Sequence, residues 1–160
     1  MLRYTILALL FFSSAIARDQ SVTKEEFKQV MLHYLNIPYR WGGDDPMARF
    51  DCSGLTQELQ SILGIKPQGD HSAAGLYNYW KSNGKVGLYD TGALAFYGSS
   101  GAVTHVAVLY DESTILEAGS GNSRTTSLQN AIDQNAYTRL RSVTNRKDLV
   151  AVIKPNQLPW

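Results

Sequence analysis

Residues 50–55 read Phe-Asp-Cys-Ser-Gly-Leu, and they mark the place where an irregular loop passes into a helix. The preceding residues, 39–51, are rich in glycine and aspartate, a composition that predicts the loop. The following residues repeat apolar side chains at helical spacing as far as Gly64, where the helix is expected to end. Cys52 is therefore expected in the first helical turn, where unpaired backbone N–H groups and the helix dipole favour a thiolate.

Cys52 is the single cysteine of the 160 residues, so the chain can form no internal disulfide. Two other interpretations of a lone thiol are a buried small hydrophobic residue and an intermolecular bridge. The polar neighbours Asp51 and Ser53 argue against a structural cysteine, which would be expected on an apolar face. Gly54 is expected to leave space beside the sulfur for a substrate backbone. The local sequence favours a reactive thiol.

A nucleophilic thiol requires a base, and the chain contains three histidines, His33, His71 and His105. His33 lies off the apolar stripe of its helix and is interpreted as solvated. For His71, in a loop, cleft lining and plain exposure are equally compatible with the sequence. His105 opens the apolar run 106–110, which predicts a position at a strand end. Alone it is more simply a structural residue, but beside Cys52 it becomes the candidate base.

The hydrophobic period is helical in the first part of the chain. Thr23 and Glu26 fit a capping box for a helix that ends near Asn36. A second helix begins at Cys52 or the next residue. Ser72 fits the cap of a third helix.

Beyond residue 90 the pattern is typical of strands. Short β-branched or aromatic runs predict strands at residues 93–97, 105–110, 114–118, 137–143 and 149–153. A hairpin turn is predicted at residues 111–113 and a short helix at residues 128–134. Helices followed by strands predict an α+β fold, in which N-terminal helices pack on a mostly antiparallel sheet of about five or six strands.

Length and charge limit the classes of protein that remain. A chain of 160 residues accommodates one domain, and no repeat or linker indicates a second. The chain has 15 lysines and arginines against 14 acidic residues, with no dense run of either sign. This balance argues against a generic binder of nucleic acid or anionic lipid.

The first residues are typical of a secretory signal peptide. Arg3 supplies the positive start, residues 6–12 form an apolar run, and Ala15-Ile16-Ala17 fits a signal-peptidase site. Cleavage after Ala17 would leave residues 18–160 as one catalytic domain. The apolar run is far shorter than the roughly 20 residues of a spanning helix, so no membrane anchor is expected. The protein is predicted to be exported, to the periplasm or the medium.

Four blocks of the sequence resemble the NlpC family of cell-wall peptidases, which have a papain-like fold. The first is Pro38-Tyr39-Arg40-Trp41-Gly42-Gly43, and the second is the Cys52 stretch quoted above. Residues 92–96 and 104–108 resemble the next two blocks in the same order. The resemblance covers roughly residues 23 to 153.

This resemblance implies that Cys52 is the nucleophile, that His105 is its base, and that a polar residue on the next strand orients the imidazole. The third position falls on Glu117, twelve residues after His105. Family members more often carry His, Asn or Gln there. A carboxylate would favour imidazolium and could slow proton return to the leaving amine. The alternative for Glu117 is a solvated strand residue with the orienting role unfilled.

The family also implies roles for residues around the thiol. Tyr39 matches a tyrosine that points its hydroxyl at the developing oxyanion. Substrate-binding positions fall on Arg40, Asp51, Ser53, His71 and Ser72. Asp51 is equally compatible with a helix cap. Trp41 is expected to pack beneath the loop and away from substrate.

The activity implied is hydrolysis of an amide bond in peptidoglycan stem peptides, next to D-glutamate or a diamino acid. No cofactor or metal is expected, because the histidines show no ligand spacing with carboxylates. One alternative is an amidase, acyltransferase or toxin that uses the same dyad on a non-wall substrate. Another is a wall-binding protein with vestigial catalytic residues. The sequence identifies no inhibitor partner.

Overall fold

The computed structural model describes residues 21–45, 47, 49–69 and 71–160, in which the chain forms four helices and eight strands. The predicted signal peptide, residues 1–17, lies outside the described residues. The helices are α1 Lys24–His33, α2 Cys52–Ile62, α3 Ala73–Asn83 and α4 Leu128–Asp133.

A polar side chain caps the start of each of these helices. The caps are Thr23, Asp51, Ser72 and Ser127, and each accepts a hydrogen bond from a backbone N–H in the first turn. The predicted capping box of Thr23 and Glu26 is present. The first helix ends at His33, earlier than expected, because Thr138 donates its hydroxyl to the Tyr34 carbonyl and accepts from the Ile37 N–H.

Six strands form one sheet in the order β3-β8-β4-β5-β6-β7, and every neighbouring pair is antiparallel. Their bounds are β3 Gly84–Val86, β4 Leu94–Ser99, β5 Ala102–Leu109, β6 Thr114–Ala118, β7 Thr138–Ser142 and β8 Leu149–Pro155. The α+β architecture with a mostly antiparallel sheet is confirmed. A separate hairpin, β1 Asp44–Asp45 and β2 Arg49–Phe50, lies within the stretch predicted to be an irregular loop.

The sheet has a hydrophobic core on each face. Along β4, Leu94 and Phe96 join the larger cluster, which also contains residues of α1, α2 and α3 such as Phe27, Leu59 and Trp80. The intervening residues of β4 join a second cluster. This alternation is the period of a strand that is covered on both sides, and it explains why β4 is apolar throughout.

His105 lies within β5, and the prediction of a strand end is wrong. The strand begins at Ala102, since a two-residue turn at Ser100 and Gly101 joins it to β4. Both turn residues have positive φ, the conformation typical of tight hairpins. β5 therefore pairs with β4 on both sides of His105, with a register shift between Tyr97 and Gly98 next to it, and this pairing holds the imidazole on the sheet.

Candidate active site

Cys52 is the first residue of α2, and the cap that precedes it also organises the loop. One oxygen of the Asp51 carboxylate accepts from the Gly54 N–H and the Ser53 hydroxyl, each at 2.8 Å, and the other accepts from the Gly42 N–H at 3.0 Å. Asp51 is thus a helix cap, one of the two roles expected for it. It ties the glycine-rich loop to the helix that carries the thiol.

Gly54 lets the loop approach α2 closely. A Cβ atom at this position would lie 2.0 Å from the carbonyl oxygen of Gly43, far inside van der Waals contact. The expectation that Gly54 leaves room for a substrate backbone is therefore wrong, because the Gly43 carbonyl occupies that space. The glycine positions Cys52 indirectly, by allowing the helix start to pack on the loop.

His105 joins the thiol to a buried acid. Its Nε2 lies 2.7 Å from Oε2 of Glu117, and the side chain of Cys52 is near enough to the ring to act on the pKa of His105. His105 is 8% exposed. Burial acts to lower the pKa of His105, but the hydrogen bonds to Cys52 and Glu117 outweigh it and raise the pKa to about 9. The imidazolium form is favoured at neutral pH.

Glu117 is 4% exposed, which excludes the alternative of a solvated strand residue. Burial acts to raise the pKa of its carboxyl, but the hydrogen bond and charge of His105 lower it overall, helped by Arg141 and Arg146. Arg141 Nε lies 3.1 Å from Glu117 Oε1, although this N–H is not directed at an acceptor with hydrogen-bond geometry. The contact is a charge pair on the second carboxylate oxygen.

Tyr39 lies close enough to the thiol for the two groups to interact electrostatically. Burial first, and then the negative charges of Cys52 and Asp51, raise the pKa of Tyr39 above its ordinary value. The phenol therefore keeps its proton and remains a donor. Gly121 packs against the ring, since a Cβ there would lie 2.2 Å from Tyr39 Cδ1.

A cleft passes over the thiol. A cavity of about 280 Å³ is lined by Cys52, Ser53, Ser72 and Thr104, among others. Asp51, Ser53 and Ser72 also line a neighbouring cavity of about 230 Å³. The predicted binding residues Asp51, Ser53 and Ser72 thus line both cavities.

Trp41 also lines the cavity at Cys52 and is 53% exposed. The expectation that it packs beneath the loop is wrong. Its backbone N–H donates to the Thr125 carbonyl at 2.8 Å, and this bond holds that part of the loop. Trp41 is therefore part of the wall of the cavity at Cys52.

The two remaining predicted binding residues lie farther from the thiol. His71 is exposed, lines the 230 Å³ cavity, and has Nε2 at 2.9 Å from the Pro67 carbonyl oxygen. It is therefore a cleft residue. Arg40 is exposed and lines neither of the two cavities, so the structure does not bring it together with the other predicted binding residues.

Several residues around His105 were not predicted. Tyr97 lies opposite His105 on β4, with ring centroids 5.8 Å apart, and its hydroxyl donates to the Val143 carbonyl. The Arg146 guanidinium lies 5.2 Å from the centre of the Tyr97 ring. One sequence signal of close packing was available, since Gly119 and Gly121 follow β6 directly. The partners of Glu117 and Tyr97 depend on strand order.

Among the described residues, no group of three or more His, Cys, Asp or Glu side chains is arranged to hold a metal ion. None of the helices in that part of the chain is both long and apolar enough to cross a membrane.

The model of the NlpC/P60 family matches residues 36–142. Protein P54 of Enterococcus faecium is 35% identical over 75 residues, which are 47% of this chain and 14% of P54. The chain thus spans a small part of the length of that relative.

Solved structures share the fold. The NlpC/p60 domain of the peptidoglycan hydrolase SagA has a TM-score of 0.60 at 22% identity, covering 83% of this chain and 99% of the domain. An NlpC/P60 family protein from Bacillus cereus has a TM-score of 0.62 at 16% identity, covering 86% of this chain and 41% of that protein. The P60 domain of an antigen from M. avium subspecies paratuberculosis has a TM-score of 0.60 at 20% identity, over 86% and 96% of the two chains. The predicted papain-like fold is confirmed.

Proposed function

This chain belongs to the NlpC/P60 family, and we propose that it is a cysteine hydrolase that cleaves amide bonds in peptidoglycan peptides. The observation that carries the proposal is the chain of contacts from Cys52 through His105 to Glu117. A thiol at a helix start, an imidazole near it and a buried acid behind the imidazole are the parts of an activated nucleophile. The peptidoglycan substrate is carried over from the relatives, which include the hydrolase SagA.

In the first step the Cys52 thiolate attacks the carbonyl carbon of the scissile amide and forms a C–S bond. The resulting tetrahedral intermediate carries its negative charge on the former carbonyl oxygen. When the intermediate collapses, the C–N bond breaks and the His105 imidazolium donates its proton to the leaving nitrogen. The raised pKa of His105 supports this role, because the imidazole holds a proton to donate at neutral pH.

The oxyanion requires donors that are already in place. Tyr39 supplies a hydroxyl that stays protonated, and the backbone N–H groups at the start of α2 are at the positive end of the helix dipole. We assign these groups to the oxyanion.

In the second step water hydrolyses the thioester. Neutral His105 takes a proton from the attacking water, a C–O bond forms, and the C–S bond breaks to release the carboxylic acid and the Cys52 thiolate. The imidazolium and thiolate are then restored, so the cycle needs no external reactant except water. Glu117 remains hydrogen-bonded to His105 and orients the ring in both steps.

The substrate proposed is an extended peptide. The cavity at Cys52 shares Asp51, Ser53 and Ser72 with the cavity that His71 lines, and we propose that peptide residues on one side of the scissile bond occupy both. We propose the bond next to D-glutamate or a diamino acid, as the family resemblance implies. A wall substrate also fits the export expected from residues 1–17.

The proposal is tested by incubating the purified protein with muropeptides released from sacculi and following new free amines by mass spectrometry. The expected result is one new amine per cleaved bond, at a rate abolished in Cys52→Ala and in Cys52→Ser. The serine variant is the matched control, because it keeps the size and the hydrogen bond while it removes the thiolate. Retention on sacculi without amine release, by folded wild-type protein, would instead support a wall-binding role and overturn the hydrolase.

A further inference from the structure

The buried acid of the proposed triad has a partner on each of its oxygens. Glu117 Oε2 meets His105 at 2.7 Å, and Oε1 lies 3.1 Å from Nε of Arg141. The Arg141 side chain is 29% exposed, so it reaches from a partly hydrated position to a carboxylate that is shielded from water. Glu117 therefore lies between a titratable cation and a permanent one.

We infer that Arg141 is a positioning residue, which acts as a permanent counterion of Glu117 and limits how tightly that carboxylate holds the imidazolium proton of His105. This inference rests on the proposed function. It explains how a carboxylate can serve at a position where family members more often carry a His, Asn or Gln. The Glu117 and Arg141 pair carries no net charge. The net charge that His105 meets at its hydrogen-bond acceptor is therefore closer to that of a neutral side chain.

The need for a counterion follows from the proton cycle. When His105 protonates the leaving amine it becomes neutral, and Glu117 loses the positive charge beside Oε2. A buried carboxylate without a counter-charge is costly, which would oppose release of the proton. The guanidinium cannot lose its charge in a protein, so Arg141 stabilises the ionised Glu117 in every step.

In the described part of the chain, no cation other than His105 and Arg141 is ion-paired with Glu117. The titratable and charged groups that act on the imidazole or its acid include Cys52 from α2, Tyr97 from β4, Glu117 from β6, Arg141 from β7, and Arg146 and Asp148 before β8. Arg146 forms a two-point pair with Asp148, at 2.9 and 2.6 Å, which offsets its charge. Among the described residues, Arg141 is ion-paired to Glu117 alone.

β7 also supplies a matched control. Arg139 is the register partner of Glu117, whereas Arg141 is paired with Ile115 and reaches Glu117 diagonally. The Arg139 guanidinium instead donates to the backbone carbonyls of Tyr137 and Asn135. Two arginines on one strand thus differ in whether they contact the carboxylate.

The test is the titration of His105 followed by NMR of the histidine ring, which needs no substrate. Arg141→Gln should raise the midpoint by about 0.5 to 1 pH unit, because the carboxylate then acts unopposed. Arg141→Lys should restore the midpoint, and Arg139→Gln should leave it unchanged. In a Glu117→Gln background, Arg141→Gln should have little effect on the midpoint of the His105 titration.

An equal shift in Arg141→Gln and Arg139→Gln would overturn the inference, as would a shift that persists in the Glu117→Gln background. If Arg141→Gln does not fold, Arg141→Lys still decides, since a midpoint displaced upward despite the retained charge contradicts a counterion. Failure of wild-type protein to cut muropeptides would overturn the proposed function without altering the His105 titration. The two proposals therefore fail separately.

Discussion

His105 and Glu117 share a hydrogen bond of 2.7 Å between Nε2 and Oε2, in a place that water hardly reaches. Because Nε2 is bound to the acid, Nδ1 is the ring nitrogen available to Cys52. The two residues lie twelve apart on either side of the hairpin of β5 and β6. The hairpin thus fixes the orientation of the imidazole, and the effect of the buried acid on the pH dependence of activity can be measured.

Activity should have an alkaline limit that is set by the loss of the His105 proton. The pKa of His105 is raised from 6.5 to about 9, so the proton stays on the imidazole through neutral pH and is lost as the pH rises through about 9. The rate of amine release should therefore persist above pH 7 and decline only near pH 9. His105→Ala should lose about 10² to 10⁴ in rate at neutral pH. A decline that begins near pH 6.5 would contradict the stabilised imidazolium.

Glu117→Gln should move the alkaline limit of activity to lower pH. The amide can still accept from Nε2, but it carries no charge, so the pKa of His105 should fall by about one unit or more. The alkaline limb of the rate profile should shift to lower pH by the same amount, with the fold retained. A rate and a pH profile identical to wild type would show that Glu117 does not act on His105.

Glu117→Gln should also change how the free energy of unfolding depends on pH below about 5. The pKa of Glu117 is lowered in the folded protein, so its carboxylate stabilises the fold above the ordinary value of 4.5, and that contribution is lost as the pH falls further. Between pH 5 and pH 3, approximately, wild type should lose more free energy of unfolding than Glu117→Gln. Urea unfolding at these pH values gives the two slopes. If the free energy of unfolding falls equally with pH in the two proteins, the pKa of Glu117 is the same in the folded and unfolded states, which would contradict this prediction.

The parts of the site that the sequence predicted are those set by local rules. Cys52 follows a capping aspartate and precedes a run of apolar residues, so the helix start could be placed without tertiary information. The turn after β5 was also predictable, because Asp111 accepts from the backbone N–H groups of Ser113 and Thr114.

The parts that were missed depend on strand order and on close packing. Arg141 meets Glu117 only because β7 lies beside β6 at the edge of the sheet. Tyr97 meets His105 through the pairing of β4 with β5. Nothing near Gly54 in the sequence reveals that the Gly43 carbonyl fills the space beside it. Such contacts join residues far apart in the chain or involve backbone atoms that carry no sequence signal.

Tyr39 and Gly121 provide a test of the oxyanion assignment. Tyr39→Phe should reduce the rate by about 10² to 10³ with little change in stability, since it removes one donor and keeps the ring. Gly121→Ala should reduce the rate as well, because the added methyl displaces the ring. If Gly121 acts only through the phenol, the double variant should be no slower than the slower of the two single variants. A Tyr39→Phe enzyme with full kcat would remove Tyr39 from the chemistry.

Asp51 and Thr23 cap different helices, and comparing them separates stability from activity. Removing a cap costs about 0.5 to 2 kcal/mol, so Asp51→Ala and Thr23→Ala should destabilise the protein by similar amounts. α2 starts with Cys52, however, and loss of its cap should release the first turn and the loop at Gly42, whereas α1 carries no proposed catalytic residue. We expect kcat to fall at least tenfold more in Asp51→Ala than in Thr23→Ala.

Asp51→Asn keeps an acceptor for the Gly54 N–H and should recover most of the stability. If Asp51→Asn raises KM while kcat is retained, the carboxylate also binds a positive group of the substrate. Equal activity of Asp51→Ala and Thr23→Ala, at matched stability, would show that the cap does not position the thiol.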